Sequence, residues 1–210
     1  MIRILLADDH TIFRQGLKEI LDSEKDLTVA SEAVSGREAV SQALADDCEV
    51  MVLDLSMPDI HGLDILKQIK HSRPNIAVII LSMHSEEHYG LRALKAGAAG
   101  YLTKDRDAAD LISAIRKVST GGIYISPELS GRIAGRAGKH KGIAPEEFLS
   151  DREYQVLRML ASGEQIKAMA EKLGVSPKTI STYRHRLLEK LKMKTNEDLS
   201  AYARHHGLLD

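Results

Sequence analysis

Short apolar runs recur along the first half of this chain, and each is closed by a polar residue. Ile2–Ala7 runs into Asp8 and Asp9, Val50–Leu53 into Asp54, Val78–Leu81 into Ser82, and Gly100–Thr103 into Lys104. Between these runs the apolar positions change to a spacing of three and four. Ile12, Leu17, Ile20 and Leu21 show it in one stretch, and Leu111, Ile112, Ile115 and Val118 in another. Short apolar runs separated by helical stretches read as buried parallel strands. The pattern predicts strands near 2–7, 28–34, 50–54, 76–82 and 99–103, with helices near 11–22, 37–46, 62–71, 86–96 and 107–119. Five such repeats predict an α/β fold: a doubly wound five-stranded parallel sheet in the order 2-1-3-4-5, with helices on both faces.

The pattern changes after residue 120. Gly121, Gly122, Gly131, Gly135, Gly138 and Gly142 surround Lys139-His-Lys141, a composition that predicts a flexible linker over 121–147. Within it, Pro127 to Ala134 has the makings of a helical turn or two. From Leu149 onward the pattern is helical throughout. Ser150 with Glu153 has capping-box spacing and starts a helix that Ser162-Gly163 stops near Ala161. A second helix runs near 164–173, a third follows Ser176-Pro177 to about Leu191, and a fourth spans about 196–206. Three regions result: 1–120 as the α/β domain, 121–147 as linker, and 148–210 as a small all-α four-helix domain.

Charge divides along the same line. Residues 1–124 carry 14 lysines and arginines against 19 aspartates and glutamates, a net of −5, while residues 125–210 carry 15 against 11, a net of +4. A basic module tethered to an acidic one is a pattern often associated with nucleic acid. The single cysteine, Cys48, excludes an internal disulfide and any multi-cysteine zinc site. No stretch approaches the roughly 20 apolar residues of a membrane helix. The first apolar run is too short for a signal peptide and stops at two acids, so a cytoplasmic location is expected.

In an open α/β sheet the carboxyl ends of the strands share one edge, where ligands bind. Asp8, Asp9, Asp54, Ser82 and Lys104 therefore converge: three carboxylates, a hydroxyl and an ammonium. Magnesium needs only one or two carboxylates beside water and phosphate oxygens, so Asp8 and Asp9 suit it. Asp54 can attack a phosphorus centre to form an acyl phosphate. Lys104 and Ser82 can then meet the phosphoryl oxygens, which is most of what phosphoryl transfer asks of a protein. Taken singly, Asp9 reads as a helix cap, Asp54 as a loop residue and Lys104 as a solvated lysine. The argument rests on their joint placement at strand ends.

Residues 1–119 resemble the receiver domain of two-component response regulators. The resemblance is carried by Leu6-Ala-Asp-Asp-His10, Val52-Leu-Asp-Leu-Ser-Met-Pro-Asp-Ile-His-Gly62, Leu81-Ser82 and Gly97-Ala-Ala-Gly-Tyr-Leu-Thr-Lys104. It implies that a sensor histidine kinase phosphorylates Asp54, with Mg2+ held by Asp8, Asp9, Asp54 and the backbone carbonyl of Ser56. It further implies that Ser82 moves toward the phosphoryl group while Tyr101 turns inward as a switch residue. His84 and Ser56 stand where the family varies its dephosphorylation rate.

In the helix after Ser176, Ile180, Leu187 and Leu191 form one apolar stripe. Lys178, Ser181, Thr182 and His185 form a polar one, flanked by Arg184, Arg186 and Lys190. Such a helix fits the DNA major groove, and with the helix before it makes a helix-turn-helix arrangement. The same pattern also fits a solvated amphipathic helix in a small bundle. Residues 149–209 resemble the LuxR-type DNA-binding domain through Leu149-Ser-Asp-Arg-Glu153, Leu160-Ala-Ser-Gly163, Ile166-Lys-Ala-Met-Ala170 and Leu173-Gly-Val-Ser-Pro-Lys-Thr-Ile-Ser-Thr-Tyr183. Joined to a receiver, this is similar to the NarL/FixJ response regulators. The resemblance implies that Ser181, Thr182 and His185 face bases, while Lys178, Thr179, Tyr183, Arg184 and Arg186 mainly touch phosphates.

The chain thus reads as a phosphorylation-switched transcription factor rather than an enzyme, beyond accepting a phosphoryl group and promoting its own dephosphorylation. Its implied partners are a sensor histidine kinase, double-stranded promoter DNA, RNA polymerase and, when phosphorylated, a second copy of itself, with no membrane. Two other functions fit the same residues. An aspartate-nucleophile phosphatase or phosphotransferase would turn over small phosphate esters, and an interaction protein would use the helical tail to bind another protein.

Overall fold

In a computed structural model, which describes residues 1–137 and 145–209, the apolar runs form one parallel sheet in the order β2-β1-β3-β4-β5. The strands are β1 (Ile2–Ala7), β2 (Leu27–Ala33), β3 (Val50–Leu53), β4 (Ala77–Ser82) and β5 (Gly100–Thr103). Alternating with them are α1 (Thr11–Asp22), α2 (Gly36–Ala45), α3 (Gly62–Ser72), α4 (Glu86–Lys95) and α5 (Ala108–Ser119). Every residue of central β3 is buried, because a strand covered by helices on both faces must be apolar on both. On one side of the sheet, Ile4, Leu6, Val52, Ile79 and Leu81 pack with Leu17 and Leu21 of α1 and Leu111, Ile115 and Val118 of α5. Each such side chain contributes about 1.5–3 kcal/mol by leaving water.

The register aligns the strand ends. Ala7 pairs with Leu53, Leu53 with Ile80, and Ser82 with Thr103. The Asp54 N–H donates to the Ala7 carbonyl at 2.9 Å, and the Lys104 N–H to the Ser82 carbonyl at 2.9 Å. The polar residues that close the runs therefore stand side by side on one edge.

The expected linker of 121–147 needs correction. Tyr124 forms a parallel bridge with Gly100, its N–H reaching the Ala99 carbonyl at 2.7 Å. A further helix, α6 (Pro127–Ala137), packs on α4. The Ser126 hydroxyl accepts from the Leu129 N–H at 3.0 Å and donates to Glu86 Oε2 at 2.7 Å. Arg106 pairs with Glu128 at 3.1 Å. Leu129 is buried beside Gly90, where an added methyl carbon would stand 3.0 Å from its Cδ2. The first compact unit accordingly extends to Ala137 instead of ending at 120. The helical turn expected over Pro127 to Ala134 is present and runs on to Ala137, with Ser126-Pro127 in the same cap-then-proline form as Ser176-Pro177. Gly138, Gly142 and Lys139–Lys141 lie outside the described residues.

In the second unit a 3-10 turn (Pro145–Phe148) precedes α7 (Asp151–Ala161), α8 (Ile166–Lys172), α9 (Pro177–Leu191) and α10 (Asn196–His205). Ser150 and Glu153 form the reciprocal capping box, and Ser176 caps α9 with proline at its first position. Gly163 and Gly174 take positive φ, which stops the helices where glycine avoids the steric cost of a side chain. Val156, Leu157, Met169, Ile180, Leu187, Leu199 and Ala203 are fully buried between the four helices. Arg158 Nε donates to the Leu208 carbonyl at 2.8 Å, and the Tyr202 hydroxyl donates to Glu146. Among the described residues, no helix is long and apolar enough to cross a membrane. Cys48 is buried and unpaired with another cysteine, and burial raises its thiol pKa.

Candidate functional site

Of the strand-end residues, Asp8, Asp9, Asp54 and Lys104 meet, while the Ser82 hydroxyl bonds to the His84 N–H instead. Lys104 Nζ lies 2.8 Å from Asp54 Oδ2 and 2.7 Å from Asp8 Oδ2. Asp8 and Asp54 are each 2 % exposed, so the lysine answers two carboxylates in a place water barely reaches. Burial holds the Asp54 carboxyl above its ordinary pKa, while Lys104 and the Ser56 N–H, 3.1 Å from Oδ1, pull it the other way. For Lys104, burial works against the ammonium, but hydrogen bonds to Asp54 and Asp8 outweigh it and its pKa is raised. The raised lysine pKa marks an ammonium held by two carboxylates, whereas burial of Asp54 works against its charged form.

Asp8, Asp9 and Asp54 offer carboxylate oxygens that, together with the His10 ring nitrogen, lie within 4.8 Å of one another. Hard oxygen donors this close suit a magnesium-sized ion, which accepts few protein ligands and keeps several waters. Asp9 does not cap α1; His10 is the residue at that position.

His10 was not singled out from the sequence, although it directly follows the acids. Its Nδ1 stands 3.2 Å from Asp8 Oδ1, 2.9 Å from Asp9 Oδ1 and 3.9 Å from Asp54 Oδ2, on the solvent side of the pocket. Arg14 was missed as well. Nearly buried, it donates from Nη1 to the Asp8 carbonyl at 2.7 Å and from Nε to Glu32 at 3.1 Å, bracing the loop that carries the acids. An arginine at i+4 within α1 was the available signal. Phe13 lies under the Lys104 ammonium at 4.8 Å, a cation–π contact.

Ser82 is fully buried, and its hydroxyl accepts from the His84 N–H at 3.2 Å. Tyr101 is fully buried too, its hydroxyl donating to the His84 carbonyl at 2.7 Å. Burial raises the phenol pKa, with the Ser82 hydroxyl acting weakly against it. The ring is thus turned inward rather than lying over the sheet edge. One residue, His84, joins Ser82 to Tyr101 through both its backbone groups. Its Nε2 also stands 3.4 Å from the Ser56 hydroxyl.

On α9 the apolar stripe of Ile180, Leu187 and Leu191 faces inward as expected. Lys178, Ser181, Thr182, His185 and Arg186 are exposed on the other side, with Thr179, Tyr183 and Arg184 half-buried at its margins. The hydroxyls of Ser181 and Thr182 donate to the carbonyls of Pro177 and Lys178, four residues back, at 3.0 Å each. Thr179 belongs to the cap, its hydroxyl 2.8 Å from that of Ser176. Glu189, not anticipated from the sequence, sits on the exposed stripe with Oε1 3.6 Å from His185 Nε2.

Residues 4–116 match the response regulator receiver domain, and residues 147–203 match the bacterial regulatory proteins of the luxR family. The response regulator UvrY of Escherichia coli is 36 % identical over 209 residues, covering 99 % of this chain and 96 % of that one. The response regulator GacA of Pseudomonas viridiflava is 36 % identical over 211 residues, covering 100 % and 99 %. Among solved structures, RcsB of Salmonella enterica serovar Typhimurium, bound to promoter rprA with the phosphomimetic BeF3-, is 27 % identical. It aligns with a TM-score of 0.68 over 96 % of this chain and 97 % of that one.

Proposed function

Starting from the fact that this chain belongs to the NarL/FixJ family of two-component response regulators, a receiver joined to a LuxR-type DNA-binding domain, we propose that it is a cytoplasmic transcription factor switched by phosphorylation of Asp54. The phosphoryl donor is a sensor histidine kinase. Asp54 Oδ attacks the phosphorus of phosphohistidine, the P–N bond breaks, and the imidazole leaves as the acyl phosphate forms. Asp8, Asp9, Asp54 and the Ser56 carbonyl would hold Mg2+, which when bound supplies positive charge to the phosphoryl oxygens. Lys104 accompanies those oxygens as a second cation, and the Ser82 hydroxyl turns from the His84 N–H to donate to one of them.

The observation that carries this reading is Lys104 placed between Asp54 and Asp8, at 2.8 and 2.7 Å. It gathers the acceptor, a metal-ligand candidate and the counter-charge in one pocket. Once Ser82 is drawn away, the loop it shares with Tyr101 through His84 loses one of its bonds, and the receiver's balance between two states moves. The active state promotes dimerisation, places two α9 helices in successive major grooves roughly 34 Å apart, and regulates transcription at promoter DNA, with RNA polymerase as a further partner. In that complex Ser181, Thr182 and His185 face bases, and Lys178, Thr179, Tyr183, Arg184 and Arg186 meet phosphates. Support for the DNA half comes from RcsB, a structural relative solved on promoter DNA.

The deciding experiment incubates the full-length protein with acetyl phosphate and Mg2+, maps the modified residue, and measures binding to genomic DNA fragments. Acid-stable, base-labile label at Asp54 together with tighter DNA binding is the expected result. Label on another residue, or repeated turnover of small phosphate esters, would instead favour a phosphotransferase.

A further inference from the structure

Arg184 occupies an unusual place on α9. It is half-buried, set between the apolar stripe of Ile180, Leu187 and Leu191 and the exposed stripe that begins at Ser181. A guanidinium carries five N–H donors in a planar fork. Here Nε donates to Asn196 Oδ1 at 2.6 Å. Among the described residues, that is the one hydrogen bond the Arg184 side chain makes, and it has no ion pair. The four N–H groups on the two Nη atoms are left for something outside the domain.

Asn196 is the first residue of α10, and that helix start is firmly held. The Thr195 hydroxyl accepts from the Asp198 N–H at 3.1 Å, while Asp198 Oδ2 accepts from the N–H groups of Thr195 at 2.9 Å and Lys194 at 3.1 Å. Further along, Leu199 and Ala203 are fully buried and fasten α10 to the bundle. The amide oxygen that meets Arg184 is therefore mounted on a rigid element.

We infer that Asn196 is a positioning residue for the DNA interface: it fixes the Arg184 fork through Nε so that both Nη groups are presented to a backbone phosphate. The inference rests on the DNA-binding reading above. Its physical content is preorganisation. A free arginine loses rotamer freedom when it grips a phosphate, whereas one already held by one edge of its fork loses less. The amide suits the task because it is neutral. It orients the guanidinium without cancelling the charge that draws the phosphate. The phosphate, bearing no sequence information, makes this contact a determinant of affinity and orientation rather than of base preference.

The test is a double-mutant cycle on the full-length protein, with a random-sequence 30-base-pair duplex at low salt as the probe. Thermal melts verify folding of each variant. Asn196→Ala is expected to weaken binding by about 3- to 10-fold, the loss associated with freeing one rotamer-rich side chain. Arg184→Ala should weaken it further and lower the salt slope by about one. In the Arg184→Ala background, Asn196→Ala should have no additional effect. An equal loss in both backgrounds, or no loss in either, overturns the inference. Should Asn196→Ala melt early, Asn196→Ser, neutral but too short to reach Nε, takes its place in the cycle. If Arg184→Ala is silent while Lys178→Ala weakens binding, DNA binding stands and the positioning role falls. If the unaltered protein ignores the duplex, both fall together.

Discussion

Leu129 of α6 rests against Gly90 of α4, and a single added carbon at Gly90 would stand 3.0 Å from Leu129 Cδ2 and 3.2 Å from Cδ1. This notch joins a helix outside the matched receiver segment to one inside it. Truncating the buried Leu129 to alanine should weaken the docking of α6 on α4 by about 2–5 kcal/mol. Gly90→Ala should loosen α6 without removing any contact of the sheet. Native-state hydrogen exchange over 127–137 checks both. Faster exchange there with protection retained in β1, β3 and β4 is the expected outcome, and unchanged exchange in Gly90→Ala would mean that Leu129 repacks.

The same junction sets a pH response. Burial holds the Glu86 carboxyl above its ordinary value of 4.5, although the Ser126 hydroxyl bonded to Oε2 and the nearby Arg106 oppose the shift. The other oxygen, Oε1, is buried without a hydrogen bond. A carboxyl raised in the folded state is most favourable when protonated. Its contribution is present below its unfolded pKa and is lost as pH rises through the folded one. Glu86→Gln should therefore raise the melting temperature at pH 7 and have little effect at pH 4. A gain of equal size at both pH values would place the cause elsewhere.

At the acidic pocket, Lys104→Met leaves Asp8 and Asp54 facing each other without a counter-charge. Breaking a buried pair in this way costs on the order of 3 kcal/mol. Phosphoryl uptake from acetyl phosphate should fall by about 100-fold, as when one preorganised charge is removed from a reacting centre. Because a cation that binds only the folded chain stabilises it by mass action, Mg2+ should raise the melting temperature of this variant. Asp54→Asn, by contrast, should abolish uptake altogether. Persistent uptake by Asp54→Asn would locate the acceptor elsewhere.

On α9, Lys178→Ala should weaken binding to every duplex alike and reduce the salt slope by about one. His185→Ala should change the ranking of sequences instead. Glu189, whose carboxylate faces the same side, opposes the phosphates, so Glu189→Gln should tighten binding to random DNA. Binding isotherms at several salt concentrations separate these effects. Identical shifts for Lys178→Ala and His185→Ala would remove the distinction between backbone and base contacts.

Much of the receiver is legible along the chain. A strand buried on both faces must be apolar throughout, and a ligand site at its end must be polar, so Val50–Leu53 followed by Asp54 carries both messages at once. Helix starts were equally readable where a cap stands alone, as at Ser150 and Ser176. At Ser126-Pro127 the same signal supports the helical turn expected over 127–134, but the surrounding glycines suggest a linker, and only the docking of Leu129 at Gly90 shows that this helix belongs to the receiver. Residues whose role depends on a partner far away in sequence left no comparable trace. Periodicity sets Arg184, four residues after Ile180, at the margin of the inward stripe and Arg186 on the outer face, but nothing in the local pattern names Asn196 as the partner of Arg184.

The amino-acid sequence by itself determined the alternation of strand and helix, the sheet edge where Asp8, Asp54, Ser82 and Lys104 collect, and the inward stripe of α9. These follow from periodicity, a property of neighbours along the chain. Tertiary structure alone decided that Lys104 serves two carboxylates, that His10 closes over them, that Tyr101 turns inward to the His84 carbonyl, and that α6 belongs to the receiver. Those outcomes depend on strand register and on the paths of loops. Both are set by the packing of the whole domain, which no short window of residues contains.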